Sequence, residues 1–498
     1  MHTVAIIGSG FGGLSAAAYL AQAGYKVTVY EKNKQLGGRA SLLEDSGFRW
    51  DMGPSWYLMP DVFAQFFADF GKDIHEYITL TKLDPSYRIY FKDTPDLPTG
   101  RDHMLVDVSS DLERNSSVFE ALESGAMATL ERYLARSQYQ YEVAMRDFVP
   151  KNYDSVFDFF TWKMMTEGVK LNVFSNMDSY VRRYFSSPEM QKIMQYHVVF
   201  LGTAPKDTPA LYNIMSHIDF GMWVWYPDGG IYAVIEAIVA LCKELGVEFH
   251  TNSEVDRILV EHGHATGIRF MNGSEVSADI VVSNADMHWT ETHLLDMNYQ
   301  TYPASYWDKK VMAPSGFMLY LWVNKPLPEL RHHTLVFCRD WDENFDQIFT
   351  EKLPPDDPSF YVCVPSKTDP TVAPAGHENL FILVPFPPGV QLADAERIAY
   401  RDKVLGILED VTWESIVPHI CVEHYFTHRD FVSRYNAFQG SALGLAHTLR
   451  QTALFRPNNY SKKVDNLFYV WANTNPGIGM PMCLISGKLT TQRVCSIS

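Results

Sequence analysis

Val4-Ala5-Ile6-Ile7-Gly8-Ser9-Gly10-Phe11-Gly12-Gly13-Leu14 is the stretch whose reading decides the fold. Its apolar, partly β-branched start reads as a buried strand that breaks at the glycine cluster, and Leu14, Ala16, Ala17, Ala18, Leu20 and Ala21 then favour a helix that Gly24 stops. Lys26-Val27-Thr28-Val29-Tyr30 alternates as a second strand and ends at Glu31. Each part of this unit has a task. Gly8 permits a tight turn, Gly10 lets main chain approach a pyrophosphate, and Gly13 lets helix and strand pack closely. The helix N-terminus offers free N–H groups to an anion. Glu31, 23 positions after Gly8, is placed to accept hydrogen bonds from ribose hydroxyls. Glycine turns occur by chance, but strand, turn, helix, strand and terminal acid together read as a dinucleotide-binding unit.

The residues that follow favour a buried FAD over an exchangeable nicotinamide. Leu36-Gly37-Gly38-Arg39-Ala40 and Asp51-Met52-Gly53-Pro54-Ser55 offer backbone amides and a guanidinium to phosphate oxygens. Farther on, Val255 to Val282 reads as strands, with Asn272-Gly273 predicting a type I′ hairpin. Leu467 to Val470 reads as one more apolar strand before a Pro/Gly-rich turn and a helix from Met480.

With 498 residues, 46% of them hydrophobic and 20% charged, the chain packs cores and is too long for one of them. Forty-two Lys and Arg against 59 Asp and Glu leave a net charge of −17, which repels phosphate backbones and excludes nucleic acid as a partner. The six cysteines form no CxxC pair or framework and read as reduced thiols of a cytoplasmic protein. The uncharged run between His2 and Lys26 is too rich in glycine to span a membrane and lacks a basic leader. Neither His332-His333 nor the His288-Trp289-Thr290-Glu291-Thr292-His293 segment has zinc-enzyme spacing, so no metal is expected.

Together with Trp225 to Gly230, Val281 to Asp286, Tyr435-Asn436-Ala437, Phe455-Arg456-Pro457 and Asn475 to Pro481, these motifs resemble the flavin amine-oxidase-like superfamily. The resemblance runs almost end to end. Met52 to Asp61 is similar to the bacterial-type phytoene desaturases and related carotenoid oxidoreductases. It implies an α/β fold in which a discontinuous Rossmann-like FAD domain (1–80, 225–290 and 435–498) interleaves with an α+β substrate domain (81–224 and 291–434). It further implies that Val255 holds the adenine side through its backbone and that the helix start at Gly479 and Met480 faces the isoalloxazine. Tyr435 and Arg456 would belong to the substrate pocket. The implied reaction is desaturation of phytoene towards lycopene, with oxygen or a quinone as electron acceptor. A diapophytoene desaturase, a carotenoid isomerase and a flavin amine oxidase stay open as alternatives. Two positions depart from the common pattern: Asn475 stands where many members have His, and Trp471 where a small residue is common.

The aromatic stretch Phe157 to Met165 reads either as core or as a helix lying on a membrane surface. The resemblance favours the second, because carotenoid precursors reside in the bilayer, and places the protein peripherally on the inner face of the membrane. Asp158, inside that stretch, is the candidate catalytic base.

Overall fold

The computed structural model describes residues 2–92, 94, 103–153 and 175–497. The stretch Phe157 to Met165, and Asp158 with it, lies outside the described residues.

The opening motif forms as its residues dictate. The strand Thr3–Ile7 leads into the helix Phe11–Gln22, and the strand Lys26–Tyr30 returns parallel to the first, with Val4 opposite Val27. Gly24 follows the helix at φ +91°, a left-handed conformation that glycine adopts without a Cβ penalty. These strands belong to a five-stranded, all-parallel sheet in the order Leu467–Tyr469, Ile280–Ser283, Thr3–Ile7, Lys26–Tyr30, Glu248–His250. Thr3–Ile7 is covered on both faces, which is why it carries no alternation of polar residues. Helices Phe11–Gln22, Ile231–Glu244 and Met480–Ile497 share one apolar core on its flank. Ser15 Oγ donates to the Leu484 carbonyl at 2.7 Å, and a Cβ at Gly487 would drive into that same serine. The amino- and carboxy-terminal helices therefore meet at close range.

The second sheet has seven strands in the order Ile420–Phe426, Ser315–Val323, Glu378–Phe386, Phe360–Cys363, His333–Phe337, Tyr87–Phe91, Met104–Val108. Only the pairing of His333–Phe337 with Tyr87–Phe91 is parallel. The helix Asp394–Thr412 packs on one face through Tyr400, Val404, Leu405 and Leu408. The other face carries the aromatic cluster that includes Trp56, Tyr196 and Phe337.

A third sheet, Val255–Glu261, His264–Phe270 and Glu275–Ser277, is antiparallel. Its turn differs from the sequence expectation. Gly273 alone of the pair has positive φ, +83°, and the Gly273 N–H donates to the Phe270 carbonyl at 2.8 Å. A type I′ turn needs two left-handed residues; here a tight turn through Met271 and Asn272 is followed by a left-handed glycine, the longer hairpin solution.

Among the described residues, no helix is long and apolar enough to cross a membrane.

Candidate functional site

One large cavity, about 630 Å³, runs from the carboxyl ends of the parallel strands to the aromatic face of the seven-stranded sheet. This is where a doubly wound sheet binds its ligands.

The nucleotide end is built from main chain. Gly8, at φ +92°, donates to the Tyr30 carbonyl at 2.8 Å and so ties the turn to the second strand. A Cβ on Gly13 would drive into the Gly8 carbonyl oxygen, so strand and helix pack this closely only around a glycine. A Cβ on Gly10 would lie 2.9 Å from Asn284 Nδ2. Glu31 is buried, and its carboxylate accepts from Ser9 N–H at 3.0 Å, Ser9 Oγ at 2.8 Å and Asn33 N–H at 2.9 Å. Those bonds hold the acid in one orientation at the cavity wall.

Arg39 lines the same end. One Nη donates to the Ser441 carbonyl at 3.3 Å, while Nε is buried without a partner among the described residues. Burial lowers the guanidinium pKa, and nearby Asp286 opposes that. Gly38, Pro54, Ser55, Val255 and Gly479 share the wall, and Met480 begins the helix whose first turn closes with Cys483 N–H on the Gly479 carbonyl at 2.9 Å. Gly53 lies where a Cβ would come within 2.6 Å of the Arg39 carbonyl. A glycine cradle, a buried guanidinium with its Nε free among the described residues and a helix N-terminus together fit the phosphates and reduced ring of a flavin dinucleotide.

Two departures noted in the sequence also meet here. Trp471 adopts φ +135°, which for a side chain costs about 1–3 kcal/mol. Its ring lies 4.4 Å from the Arg39 guanidinium, with Tyr435 on Arg39 at 5.3 Å. The strained residue thus packs a π face on the cation, which offsets part of the cost. Asn475 lines the cavity beside it.

Tyr435 is in the wall, but at the Arg39 end, where its hydroxyl and Ser41 Oγ share a hydrogen bond of 3.1 Å. Arg456 needs correcting: it is buried behind the wall and does not line the cavity. Its guanidinium donates to the carbonyls of Gln451, Leu445 and Ala472, a structural clamp on the last strand and turn.

The far end is aromatic. Trp56 stacks on His333 at 4.2 Å and meets Phe200 at 5.6 Å and Tyr196 at 6.3 Å, while Trp341 meets Phe337 at 5.2 Å. Behind this wall Asp219 is buried and accepts from Tyr87 Oη at 2.8 Å and Tyr196 Oη at 3.1 Å. Burial raises its carboxyl to about 7, and the two hydroxyl donors oppose the rise. Between the ends, His447 Nε2 accepts from Ile478 N–H at 3.1 Å, and its Nδ1 bonds the Tyr212 hydroxyl. Burial, with Arg456 nearby, holds His447 well below the ordinary histidine range, so it is a neutral ring.

Sequence reasoning missed Asn284, Tyr196, Asp219 and His447. Asn284 is the neighbour that a Cβ on Gly10, Gly12 or Gly13 would meet, and it sat unremarked within the Val281 to Asp286 motif. It also did not foresee that His333 pairs directly with Cys363 across two strands, bringing His332, His333 and Cys363 together with ligand atoms within 4.8 Å of one another.

The chain matches the family described as flavin containing amine oxidoreductase over residues 11–495. It is 49% identical over 490 residues to a carotenoid 3,4-desaturase of Haloarcula japonica, covering 98% of this chain and 97% of the relative. It is 36% identical over 494 residues to a zeta-carotene-forming phytoene desaturase of Myxococcus xanthus, covering 99% and 93%. Among solved structures, an oxidoreductase from Methanosarcina mazei superimposes with a TM-score of 0.62 at 18% identity, over 98% of this chain and 100% of the other. Putrescine oxidase bound to putrescine gives 0.62 at 14% identity over 99% of each chain, a likeness of fold alone. With the nucleotide cradle described above, these matches make the chain a member of the flavin-containing amine oxidoreductase family and an FAD-dependent oxidoreductase.

Proposed function

We propose that this protein desaturates a carotenoid, removing two hydrogens from adjacent carbons of the polyene. The observation that carries the reading is the continuity of one cavity from the glycine cradle to a wall of Trp56, Tyr196, Phe200, Phe337 and Trp341. An uncharged rod inserted along it would bring one CH–CH unit to the flavin while its length lies on aromatic faces. FAD, when bound, supplies a hydride acceptor. The chain's own residues do the rest. Aromatic faces exclude water and favour positive charge developing on the polyene. The neutral His447 and Tyr212 hold the carboxy-terminal turn in place without adding a charge. Asp158 is the proposed acceptor of the departing proton.

For the bond attacked, the 49% relative supports the 3,4 position. Stepwise desaturation of phytoene towards lycopene is the second reading, supported by the 36% relative. Electrons would pass on to oxygen or a quinone. We assign residues 1–80, 225–290 and 435–498 to the FAD domain and 81–224 and 291–434 to the substrate domain. All five parallel strands come from the first set and all seven strands of the second sheet from the other, which supports the division. We also assign a peripheral membrane position. Phe455, 61% exposed, and Leu449 project from the segment whose Thr452 and Ala453 line the cavity, a suitable rim for drawing substrate from a bilayer.

The deciding experiment supplies phytoene, or separately a more unsaturated acyclic carotenoid, in liposomes to the FAD-loaded protein and follows absorbance and product mass. Loss of two hydrogens per step with a red shift supports the proposal. Product of unchanged mass would make the protein an isomerase, and turnover of amines alone would overturn the carotenoid reading. Flotation with the same liposomes checks the membrane assignment: Phe455→Ser should weaken binding.

A further inference from the structure

The segment His288 to His293, set aside as a metal site by its spacing, has a different use. Asp286 caps it, accepting from the Trp289 N–H at 3.2 Å, and the chain then makes a π-helical turn over Thr290–Leu294. Such turns are rare and concentrate at functional sites. The buried Glu291 pins it from beneath, accepting from Tyr302 N–H at 2.9 Å and from the Tyr469 hydroxyl. The outcome is the placement of one ring. Trp289 lines the cavity and packs in one apolar cluster with Val255 and Leu294, and Ser253, two residues before Val255, donates its N–H to the Glu31 carbonyl at 2.8 Å. His293 stacks on it with centroids 3.9 Å apart and planes 12° from parallel. His293 Nδ1 is engaged with Thr292 Oγ1 at 2.8 Å, which fixes the imidazole plane. Burial holds that imidazole below the ordinary histidine range, so it backs the indole as a neutral ring.

We infer that the indole of Trp289, backed by His293, is a stacking platform for the adenine of the dinucleotide. The inference rests on the FAD reading of the cavity. Glu31, the proposed ribose ligand, stands at the same end, so a base continuing from that ribose meets Val255 and Trp289. A π face suits a purine, whereas a hydrogen-bonding side chain would have to match its edge.

The test measures equilibrium binding to the apoprotein of three probes: FAD, ADP, which carries the adenine end alone, and FMN, which lacks it. Trp289→Leu keeps apolar volume but removes the π face, and Trp289→Phe restores one. Trp289→Leu should weaken FAD and ADP by about tenfold or more. FMN affinity should stay as in the unchanged protein, and Trp289→Phe should recover most of the loss. His293→Ala, which leaves the cavity wall in place, should give a smaller loss in the same two probes. Affinity for FAD within twofold of the unchanged protein in Trp289→Leu would overturn the inference, as would equal loss in the Leu and Phe variants or equal loss for FMN. An unchanged protein that takes up no FAD would overturn the cofactor reading as well, so the two failures are told apart.

Discussion

The two ends of the cavity are walled by different parts of the polypeptide. At the nucleotide end the wall is largely main chain: Gly10 and Gly13 leave no room for a Cβ, Gly8 needs its positive φ, and Glu31 and Arg39 add the charged side chains. At the aromatic end the wall is side chain, drawn from Trp56, Tyr196, Phe200, Phe337 and Trp341, whose ring centroids lie 5.2–6.4 Å apart. Main chain cannot move aside, because its position is set by strand pairing on both flanks. Rings can turn or be exchanged for others of similar volume. The first end should therefore fail abruptly on small changes, and the second should lose function in increments.

Gly13→Ala is the hardest blow. The new Cβ drives into a carbonyl oxygen held between paired strands, so the fold should lose about 3 kcal/mol or more and copurified flavin should vanish, read by urea denaturation and absorbance. Gly24→Ala sharpens the point. Unlike the helical Gly13, Gly24 has positive φ, +91°, but nothing lies within 4 Å of its Cβ, so the change should cost only about 1–2 kcal/mol. Equal effects in the two variants would mean that crowding at Gly13 costs no more than a left-handed backbone does at Gly24.

Arg39→Met tests a charged group of the cradle whose buried Nε has no partner among the described residues. FAD binding should weaken by about 1.5–3 kcal/mol, seen by titrating the apoprotein, while the fold holds. Retained affinity would remove Arg39 from the site.

At the aromatic end the strongest effect should be one of pH. Asp219 stands near 7 in the fold against 3.8 ordinarily, so between those values the folded chain keeps a proton that the unfolded chain has released. Its contribution is complete below the ordinary value and is lost as pH rises through about 7. Asp219→Asn cannot titrate. The stability difference between wild type and Asp219→Asn should drift against the wild type by on the order of 2–4 kcal/mol across that window and then level off. Asp51, also raised by burial, to about 6, is present in both proteins and cancels in the difference. A flat difference would mean that the carboxyl is ionised throughout.

Tyr196→Phe should be the mildest. It keeps the ring in the wall and removes one hydroxyl donor to Asp219, at a cost of about 1 kcal/mol by denaturation. A drop as large as that of Gly13→Ala would erase the contrast between the two ends.

The parallel sheet was legible because its signals are local. Turn, helix stop and terminal acid fall between Val4 and Glu31, and each follows from what a glycine, a β-branched run or a helix terminus does by itself. Where the reading leaned on a short motif it was less secure. Asn272-Gly273 marked a hairpin but misjudged its turn, and Phe455-Arg456-Pro457 led to a buried clamp behind the wall and not to a pocket residue. A motif names a residue type and a place in the chain, whereas its facing depends on what packs against it.

Sequence alone therefore determined the strand, glycine turn, helix and strand of the opening unit and singled out Arg39 and the carboxy-terminal turn, which line the same cavity. Only the tertiary structure decided that Tyr196 and Asp219 form a pair behind the aromatic wall, that Asn284 closes on the glycine turn, and that His333 faces Cys363. Burial and strand register bring those residues together across as many as 274 positions, from Gly10 to Asn284, and neither is encoded in spacing along the chain.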